Sequence, residues 1–167
     1  MSDRREAILD VAERLIRTHG YSGFSFREIA DEVGIKSASV HYHFPTKPDL
    51  AAAVAKRYRE RFVDALNAAE SRGEDRVSAW RDLFENALKD DGLMCLCGIL
   101  AVEGDSLPAN VAEEALAFLQ FGIASLDEAV PGKGTRILSQ LEGAMLIARS
   151  SGNLDVFRTA TQDLHQA

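Results

Sequence analysis

The chain has 167 residues, of which 46% are hydrophobic and 27% are charged, and its formal net charge is −7. This length supports one hydrophobic core and a second, smaller one. No signal peptide is evident, and the longest apolar stretch, near residues 93–102, is far shorter than the ~20 residues that span a bilayer, so these features argue against a membrane protein and predict a soluble, cytoplasmic one.

The first predicted helix runs from about Arg4 to His19. Asp3 with Glu6 resembles a capping box at its start, and Gly20 suits its end because glycine readily adopts the left-handed conformation. We expect this helix to support the motif that follows. Its inward stripe recurs at helical spacing and comprises Ile8, Ala12, Leu15 and Ile16.

A second, short helix is predicted from Phe26 to Val33, with apolar residues on one face. Ser25 and Glu28 have the Ser-x-x-Glu spacing of a capping box, in which each side chain satisfies a backbone N–H at the helix start. Gly34 ends this helix with a sharp turn.

A third helix follows from about Ser37 to Phe44, anchored by Val40 and stopped by Pro45. Two short helices joined by a glycine turn are the plan of a helix-turn-helix, whose second helix enters the major groove of DNA.

The rest of the chain also has helical periodicity. Thr46 with Asp49 caps a long helix that ends near Gly73. Alternation typical of a β-strand does not extend beyond a few residues anywhere, so we predict an all-α fold of about nine helices. Five further helices are predicted, from about Arg76 to Lys89, Leu93 to Val102, Ala109 to Ala129, Arg136 to Ser150, and Leu154 to His165.

Charge is unevenly distributed along the chain. Residues 1–47 hold seven Lys or Arg and seven Asp or Glu, a net charge of zero, so the remainder carries the whole deficit. Binding to DNA would therefore depend on the local placement of a few cations and helix N-termini, since global attraction is absent.

The run GIKSASVHYHFPTKPDL, between a capped helix and a long one, resembles the DNA-binding signature of the tetracycline-repressor (TetR) family of bacterial transcription regulators. The likeness extends from Arg4 to Leu50, and its most specific part is the aromatic-x-Phe-Pro-Thr-Lys segment before an acidic cap. One departure is His41 followed by Tyr42, where such proteins often carry Tyr in the recognition helix. The resemblance implies a homodimeric regulator in which a small molecule in the C-terminal body changes the spacing of the two DNA-binding heads and releases DNA.

On this basis residues 1–47 are predicted to be a three-helix DNA-binding domain, and residues 48–167 a helical ligand-binding and dimerisation domain. Short side chains at the start of the third helix allow close approach to base edges, whereas hydroxyls, rings and cations around it suit phosphates. Ser25 and Thr46 would cap their helices even without DNA, and His43 could serve packing. The predicted DNA-binding residues are Ser25, Arg27, Lys36, Ser37, Ala38, Ser39, His41, Tyr42, His43, Thr46 and Lys47.

Side chains suited to an apolar effector are found in the predicted body, although each of them could also be ordinary core. The last two helices have apolar residues at three- and four-residue spacing, which in a dimer makes a four-helix bundle between subunits. The expected partners are a palindromic double-stranded operator, a second copy of the chain and a small-molecule effector, with no cofactor and no membrane. The candidate ligand-binding residues are Phe62, Trp80, Phe84, Met94, Cys97, Phe118, Phe121 and Met145.

Two other classes of protein stay open. Cys95 and Cys97 could indicate a metal or thiol sensor, but a zinc site needs about four ligands and no second pair or nearby His accompanies them. Residues two apart on a helix point in different directions, so a disulfide is not expected. The sequence implies no Cys/His/acid constellation, and we predict that the chain is not an enzyme. A helical interaction protein without DNA binding is the second alternative.

Overall fold

Helices account for all the regular structure in the computed structural model, which describes residues 2–164. These residues form nine α-helices and one short 3-10 helix, Gly104–Ser106, and contain no β-strand. The all-α prediction is confirmed. The α-helices are α1 Ser2–His19, α2 Phe26–Val33, α3 Ser37–His43, α4 Lys47–Ser71, α5 Arg76–Asp90, α6 Leu96–Glu103, α7 Ala109–Ala129, α8 Gly134–Ser151 and α9 Leu154–Thr161.

Some helix ends differ from the predictions. Helix α1 already begins at Ser2, so the predicted capping box of Asp3 and Glu6 is wrong. Asp3 lies inside the first turn, where its negative charge interacts favourably with the positive end of the helix dipole. Helix α6 starts three residues later than predicted, and the Leu93 N–H donates to the Asp91 side chain (2.8 Å). Helix α9 ends at Thr161, and the predicted end at His165 lies outside the described residues.

The chain divides into two compact units. The first unit contains α1 to α3, α4 up to Tyr58, and residues 96–116, which include α6 and the start of α7. The second unit contains residues 59–95 and the chain from Ala117 onward. The predicted border between residues 47 and 48 falls inside the first unit; it stays a prediction about function.

Apolar side chains from several helices meet in the core of the first unit. Ile8 and Ile16 of α1, Ile29 of α2, Val40 of α3 and Leu50 of α4 are all completely buried. The stripe predicted on α1 from its spacing is buried as expected. The short helices α2 and α3 are therefore held by packing rather than by their own propensity, which is marginal at this length.

A cation from α4 reinforces the packing against α1. The Arg57 guanidinium forms ion pairs with three carboxylates one helical turn apart, those of Glu6 (3.0 Å), Asp10 (2.8 Å) and Glu13 (3.1 Å). Because the three anions repel one another, the arrangement depends on Arg57 staying in place.

The second unit is built by α5, α8 and α9, which contact one another, together with the adjoining parts of α4 and α7. Its largest fully buried side chains are Trp80, Phe84, Phe118 and Phe157. None of the helices within residues 2–164 is long and apolar enough to cross a membrane.

Candidate DNA-binding surface and effector site

Helix α2 has a cap at each end, but only the Ser25 half of the predicted capping box is formed, since among the described residues the Glu28 carboxylate does not accept the Ser25 N–H. The Ser25 hydroxyl accepts the Glu28 N–H at 3.2 Å, and Ser25 has the extended backbone of an N-cap residue. Gly34 has a left-handed backbone (φ 73°), and its N–H donates to the Ala30 carbonyl. The chain then turns into α3 within two residues, which sets the helix-turn-helix geometry.

Helix α3 has one buried and one exposed face. Val40 is fully buried, and Phe44 just beyond the helix end is nearly so, whereas Tyr42 is 74% exposed. An exposed tyrosine of this extent has no role in the core, so it is available to a partner. Its neighbour His43 is half-buried, with the two rings 5.3 Å apart and nearly perpendicular.

A shallow groove with a volume of about 300 Å³ runs beside this exposed face. Most of its lining residues were predicted from the sequence, but Arg4 of α1 was not. Two adjacent arginines in the first turn of α1 could have indicated a basic contribution to the surface, since the fold brings that turn beside α3. The groove is lined by Arg4, Lys36, Ala38, Ser39, Tyr42 and His43.

His41, on the same helix, does not line this groove. Its ring packs against Phe26 with centroids 4.6 Å apart, and its Nδ1 is 3.4 Å from the Pro45 carbonyl oxygen. The side chain is nevertheless exposed. Packing and surface exposure are thus combined in one residue, and its predicted contact with DNA stays a prediction.

The start of α4 carries the predicted reciprocal cap. The Thr46 hydroxyl accepts the Asp49 N–H (3.2 Å), and the Asp49 carboxylate accepts both the Thr46 N–H (3.1 Å) and its hydroxyl proton (2.7 Å). The N–H of Thr46 is therefore already paired inside the protein. Any contribution of Thr46 to phosphate binding would have to come from its side chain.

The Lys47 ammonium lies at a defined site next to this cap, which we call its seat: the rings of Phe24 and Tyr21 and the carbonyl of Ser22. The ammonium lies 4.4 Å from the Phe24 ring centroid, 4.9 Å from that of Tyr21, and 3.5 Å from the Ser22 carbonyl oxygen. Aromatic faces attract a cation, and the carbonyl accepts one of its three protons. Burial lowers the pKa of Lys47, while the negative charges of Glu103 and Glu28 oppose that effect.

Arg27 is a strongly exposed cation, with its side chain 90% exposed. It lies on α2 and reaches only to Asp31, one turn further on, at 3.9 Å with both side chains exposed. Such a surface pair contributes little to stability and leaves the guanidinium accessible.

Five of the predicted effector residues form one aromatic cluster in the second unit. Phe62 touches three of the others, with ring centroids 5.1 to 5.9 Å apart, and Trp80 lies 5.8 Å from Phe121. The indole N–H of Trp80 donates to the buried Ser125 hydroxyl at 3.1 Å, which supplies the partner a buried indole needs. The aromatic cluster consists of Phe62, Trp80, Phe84, Phe118 and Phe121.

Sulfur-containing residues meet beside helix α8. The Met145 sulfur accepts the Cys95 N–H at 3.1 Å, and the Cys95 thiol hydrogen-bonds the Glu142 carboxyl. The Glu142 Oε1 is fully buried, with no hydrogen-bond partner among the described residues. Sequence reasoning did not single out Glu142, although an acid between Leu141 and Met145 was a visible signal. Met94 and Cys97 are buried as well.

The comparisons with known proteins agree with this architecture. Residues 8–54 match the family model for bacterial regulatory proteins of the tetR family. The crystal structure of a TetR transcriptional regulator from Legionella pneumophila is 30% identical, and the match covers 96% of this chain and 95% of that one with a TM-score of 0.87. The chain belongs to the TetR family.

Three further proteins show how the similarity is distributed. A TetR-family regulator from Agrobacterium tumefaciens, also a crystal structure, is 27% identical over 98% of this chain and 96% of its own, with a TM-score of 0.87. The nicotine-responsive repressor HdnoR of Paenarthrobacter nicotinovorans is 35% identical, but over only 56% of this chain and 50% of HdnoR. The match to the repressor AcnR of Corynebacterium diphtheriae likewise covers only 46% of that protein.

In this TetR-family helix-turn-helix transcriptional regulator, the segment that matches the family model is the one that contains the predicted DNA-binding residues. Residues 8–54 include every one of them, whereas Arg4 and the aromatic cluster lie outside the matched segment. Within residues 2–164, no group of three or more His, Cys, Asp or Glu side chains is arranged to hold a metal ion.

Proposed function

We propose that this TetR-family regulator is a dimeric repressor that binds a palindromic DNA operator and is released from it by a small-molecule effector bound in its C-terminal body. The observation that carries the proposal is the exposed face of α3, where the accessible ring of Tyr42 borders a groove with Arg4 and Lys36. Val40 turns the other face into the core, so α3 presents one surface outward.

The residues of this surface divide into two roles. Ser37, Ala38 and Ser39 have short side chains, which let the helix backbone approach base edges and favour contacts to thymine methyl groups and readout of DNA shape. The exposed Tyr42 and the partly exposed Lys47 suit phosphate oxygens; contacts to phosphates fix the register on DNA without reading sequence. His41 of α3 and Arg27 of α2 are exposed as well and are proposed to add further contacts to DNA.

The electrostatics of the first 47 residues support a local mode of binding. Their net charge is zero, and acidic side chains such as Glu32 are tied to cations such as Arg14 by ion pairs. The cations left facing the groove are Arg4 and Lys36. Because the slope of affinity against salt scales with the number of phosphates neutralised, and a dimer brings these cations twice, affinity should still fall steeply as salt is raised.

The second subunit would cover helix α8. Leu146 and Ile147 are 55% and 57% exposed, which is unusual for adjacent large apolar side chains on a helix. One turn earlier, Gly143 has open space on its Cβ side, so another backbone can approach closely. A face of this kind, repeated about a two-fold axis, suits a four-helix bundle with α9.

The effector is proposed to act on the balance between two conformations. A ligand shifts such an equilibrium only as far as it prefers one of the two states. The aromatic cluster supplies a predominantly apolar wall, which suits an apolar or aromatic small molecule. Release requires that the ligand-bound state hold the two recognition helices away from the ~34 to 36 Å spacing of successive major grooves.

DNA binding is tested by gel shift with the regulator's own upstream region and with fragments selected from genomic DNA. We expect a protected palindrome, with affinity that falls as salt is raised. Lys47→Ala should weaken specific and non-specific binding alike, whereas Ser39→Ala should change sequence preference. Absence of binding to any genomic fragment at low salt would refute the repressor and favour a helical interaction protein.

Dimerisation is tested by light scattering after size exclusion. The unaltered chain should elute as a dimer, and Ile147→Lys should give a monomer because it buries a charge in an apolar interface. Asn86→Lys, an exposed substitution on α5, serves as the control and should leave the dimer intact. A dimer that persists in Ile147→Lys would place the interface elsewhere.

A further inference from the structure

We propose that Glu103, the last residue of α6, positions Lys47 for DNA by holding the loop between α1 and α2. The inference rests on the proposed function, in which Lys47 contacts a phosphate. Glu103 is a positioning residue in this scheme, since it acts on DNA only through the loop and Lys47. All the groups involved belong to the first unit.

The contact between Glu103 and the loop is direct. Its Oε1 accepts the N–H of Tyr21 at 2.5 Å, a hydrogen bond between residues 82 positions apart in the sequence. A charged acceptor makes this bond stronger than a neutral one. It fixes the backbone at the point where the chain leaves α1.

Gly20 makes room for the carboxylate. A Cβ at this position would lie 2.4 Å from the Glu103 Oε1, and the backbone is left-handed with φ 77°. Glycine is therefore favoured at position 20 for two reasons: the left-handed turn, and the close approach of the Glu103 carboxylate. The Gly20 N–H still bonds the Ile16 carbonyl (2.8 Å), so the end of α1 is intact beside the contact.

The loop in turn holds Lys47. The Tyr21 ring and the Ser22 carbonyl form two sides of the ammonium seat, and Phe24 forms the third. Two of these groups belong to Tyr21 and its immediate neighbour, whose backbone Glu103 fixes. The Glu103 charge also favours the charged form of Lys47 against the effect of burial on its pKa.

Loss of the hydrogen bond should loosen the seat. Without Glu103 the Tyr21 amide loses its acceptor and the Tyr21 ring is freer to move, so the Lys47 ammonium samples positions from which it does not reach a phosphate. The effect on DNA affinity should depend on the acceptor, and much less on the charge, because an amide oxygen can replace the carboxylate at the Tyr21 N–H.

The experiment compares Glu103→Ala and Glu103→Gln with Asp105→Ala, which removes an exposed acid two residues away. Operator affinity is measured by fluorescence anisotropy and exchange of the Tyr21 amide by NMR. We expect Glu103→Ala to weaken binding about fivefold to tenfold, up to about 1.4 kcal/mol, and to speed Tyr21 exchange. Glu103→Gln should stay within about twofold of the unaltered protein in both readouts, and Asp105→Ala should change neither.

A double-mutant cycle tests whether Lys47 carries the effect. If Glu103 acts through Lys47, then Glu103→Ala should cause no further loss in a Lys47→Ala background, since coupled residues are non-additive. Additive losses would overturn the inference. So would unchanged Tyr21 exchange in Glu103→Ala, or a Glu103→Gln variant as weak as Glu103→Ala.

Failures of the two proposals give different results. If the unaltered protein binds no DNA, the proposed function fails and the inference fails with it. If Lys47→Ala weakens binding but Glu103→Ala does not, only the inference fails. Glu103→Leu, which keeps an apolar side chain of similar size but has no hydrogen-bond acceptor, replaces Glu103→Ala if that variant does not fold, with the same expected loss.

Discussion

Replacing Glu142 by Gln should make the protein more stable at pH 8 and remove a pH dependence from its unfolding. Part of this side chain reaches the surface, but the carboxyl Oε1 is buried without a hydrogen-bond partner among the described residues. Burial raises the pKa of Glu142 from 4.5 to about 7, and the hydrogen bond from the Cys95 thiol lowers it only in part. Gln has nearly the same shape and carries no charge at any pH.

The sign follows from proton binding. Because the pKa of Glu142 is higher in the folded state, the folded protein holds more protons than the unfolded chain between pH 4.5 and 7. Stability therefore falls as pH rises through this interval and is constant with respect to this group above it. A shift from 4.5 to about 7, at 1.36 kcal/mol per pKa unit, corresponds to roughly 3 kcal/mol.

The assay is chemical unfolding of both proteins at pH 5, 6, 7 and 8. We expect the advantage of Glu142→Gln in free energy of unfolding to rise from below about 1 kcal/mol at pH 5 to roughly 3 kcal/mol at pH 8. Glu128→Gln, which neutralises an exposed carboxylate on α7, is the matched control and should follow the unaltered protein. Parallel pH curves for Glu142→Gln and the unaltered protein would refute the reasoning.

Further substitutions test the packing of the second unit and of α1. Gly134→Ala would put a methyl group 2.2 Å from a main-chain oxygen of α7 and should destabilise by about 1–3 kcal/mol or more in thermal melts; an unchanged melting temperature would contradict the geometry. Ser125→Ala leaves the buried Trp80 N–H without its acceptor and should cost about 1–3 kcal/mol in urea unfolding; an unchanged midpoint would mean that the indole finds another partner. Arg57→Ala leaves three neighbouring carboxylates of α1 without their cation, so its loss of melting temperature should shrink at pH 4 and in high salt; a loss independent of both would indicate lost packing instead.

The fold was largely predictable because most helix ends are set by residues next to them in the sequence. Helix α7 begins after Pro108 and ends at Ala129, as predicted, since Pro108 precedes it and Pro131 and Gly132 follow it. The start of α6 was not predictable from hydrophobicity, because Leu93 and Met94 continue its apolar run without being helical. There the Asp91 side chain binds the Leu93 N–H and competes with the helix.

Residues of the candidate DNA-binding surface were predictable from the sequence only where their contacts lie within one short segment of the chain. Ser25, Thr46 and the face of α3 follow from caps and spacing within a few residues. The seat of Lys47 and the contact of Glu103 join segments that are 25 and 82 positions apart, and no periodic pattern reports such a pairing. The same holds for Arg4, whose place beside α3 depends on how α1 packs.

The aromatic cluster limits how an effector can bind among the residues predicted for it. Its rings already contact one another, and at Gly122 a Cβ would meet Trp80 at 3.1 Å and Leu138 at 3.0 Å. A ligand entering between the rings must separate pairs that contribute about 0.5–1.5 kcal/mol each beyond their buried area. The apparent affinity is then lower than the affinity for the open cluster, because it is multiplied by the fraction of molecules in which the cluster is already open. That cost is also what allows binding to change the conformation, because a ligand that fitted the closed cluster equally well would shift no equilibrium.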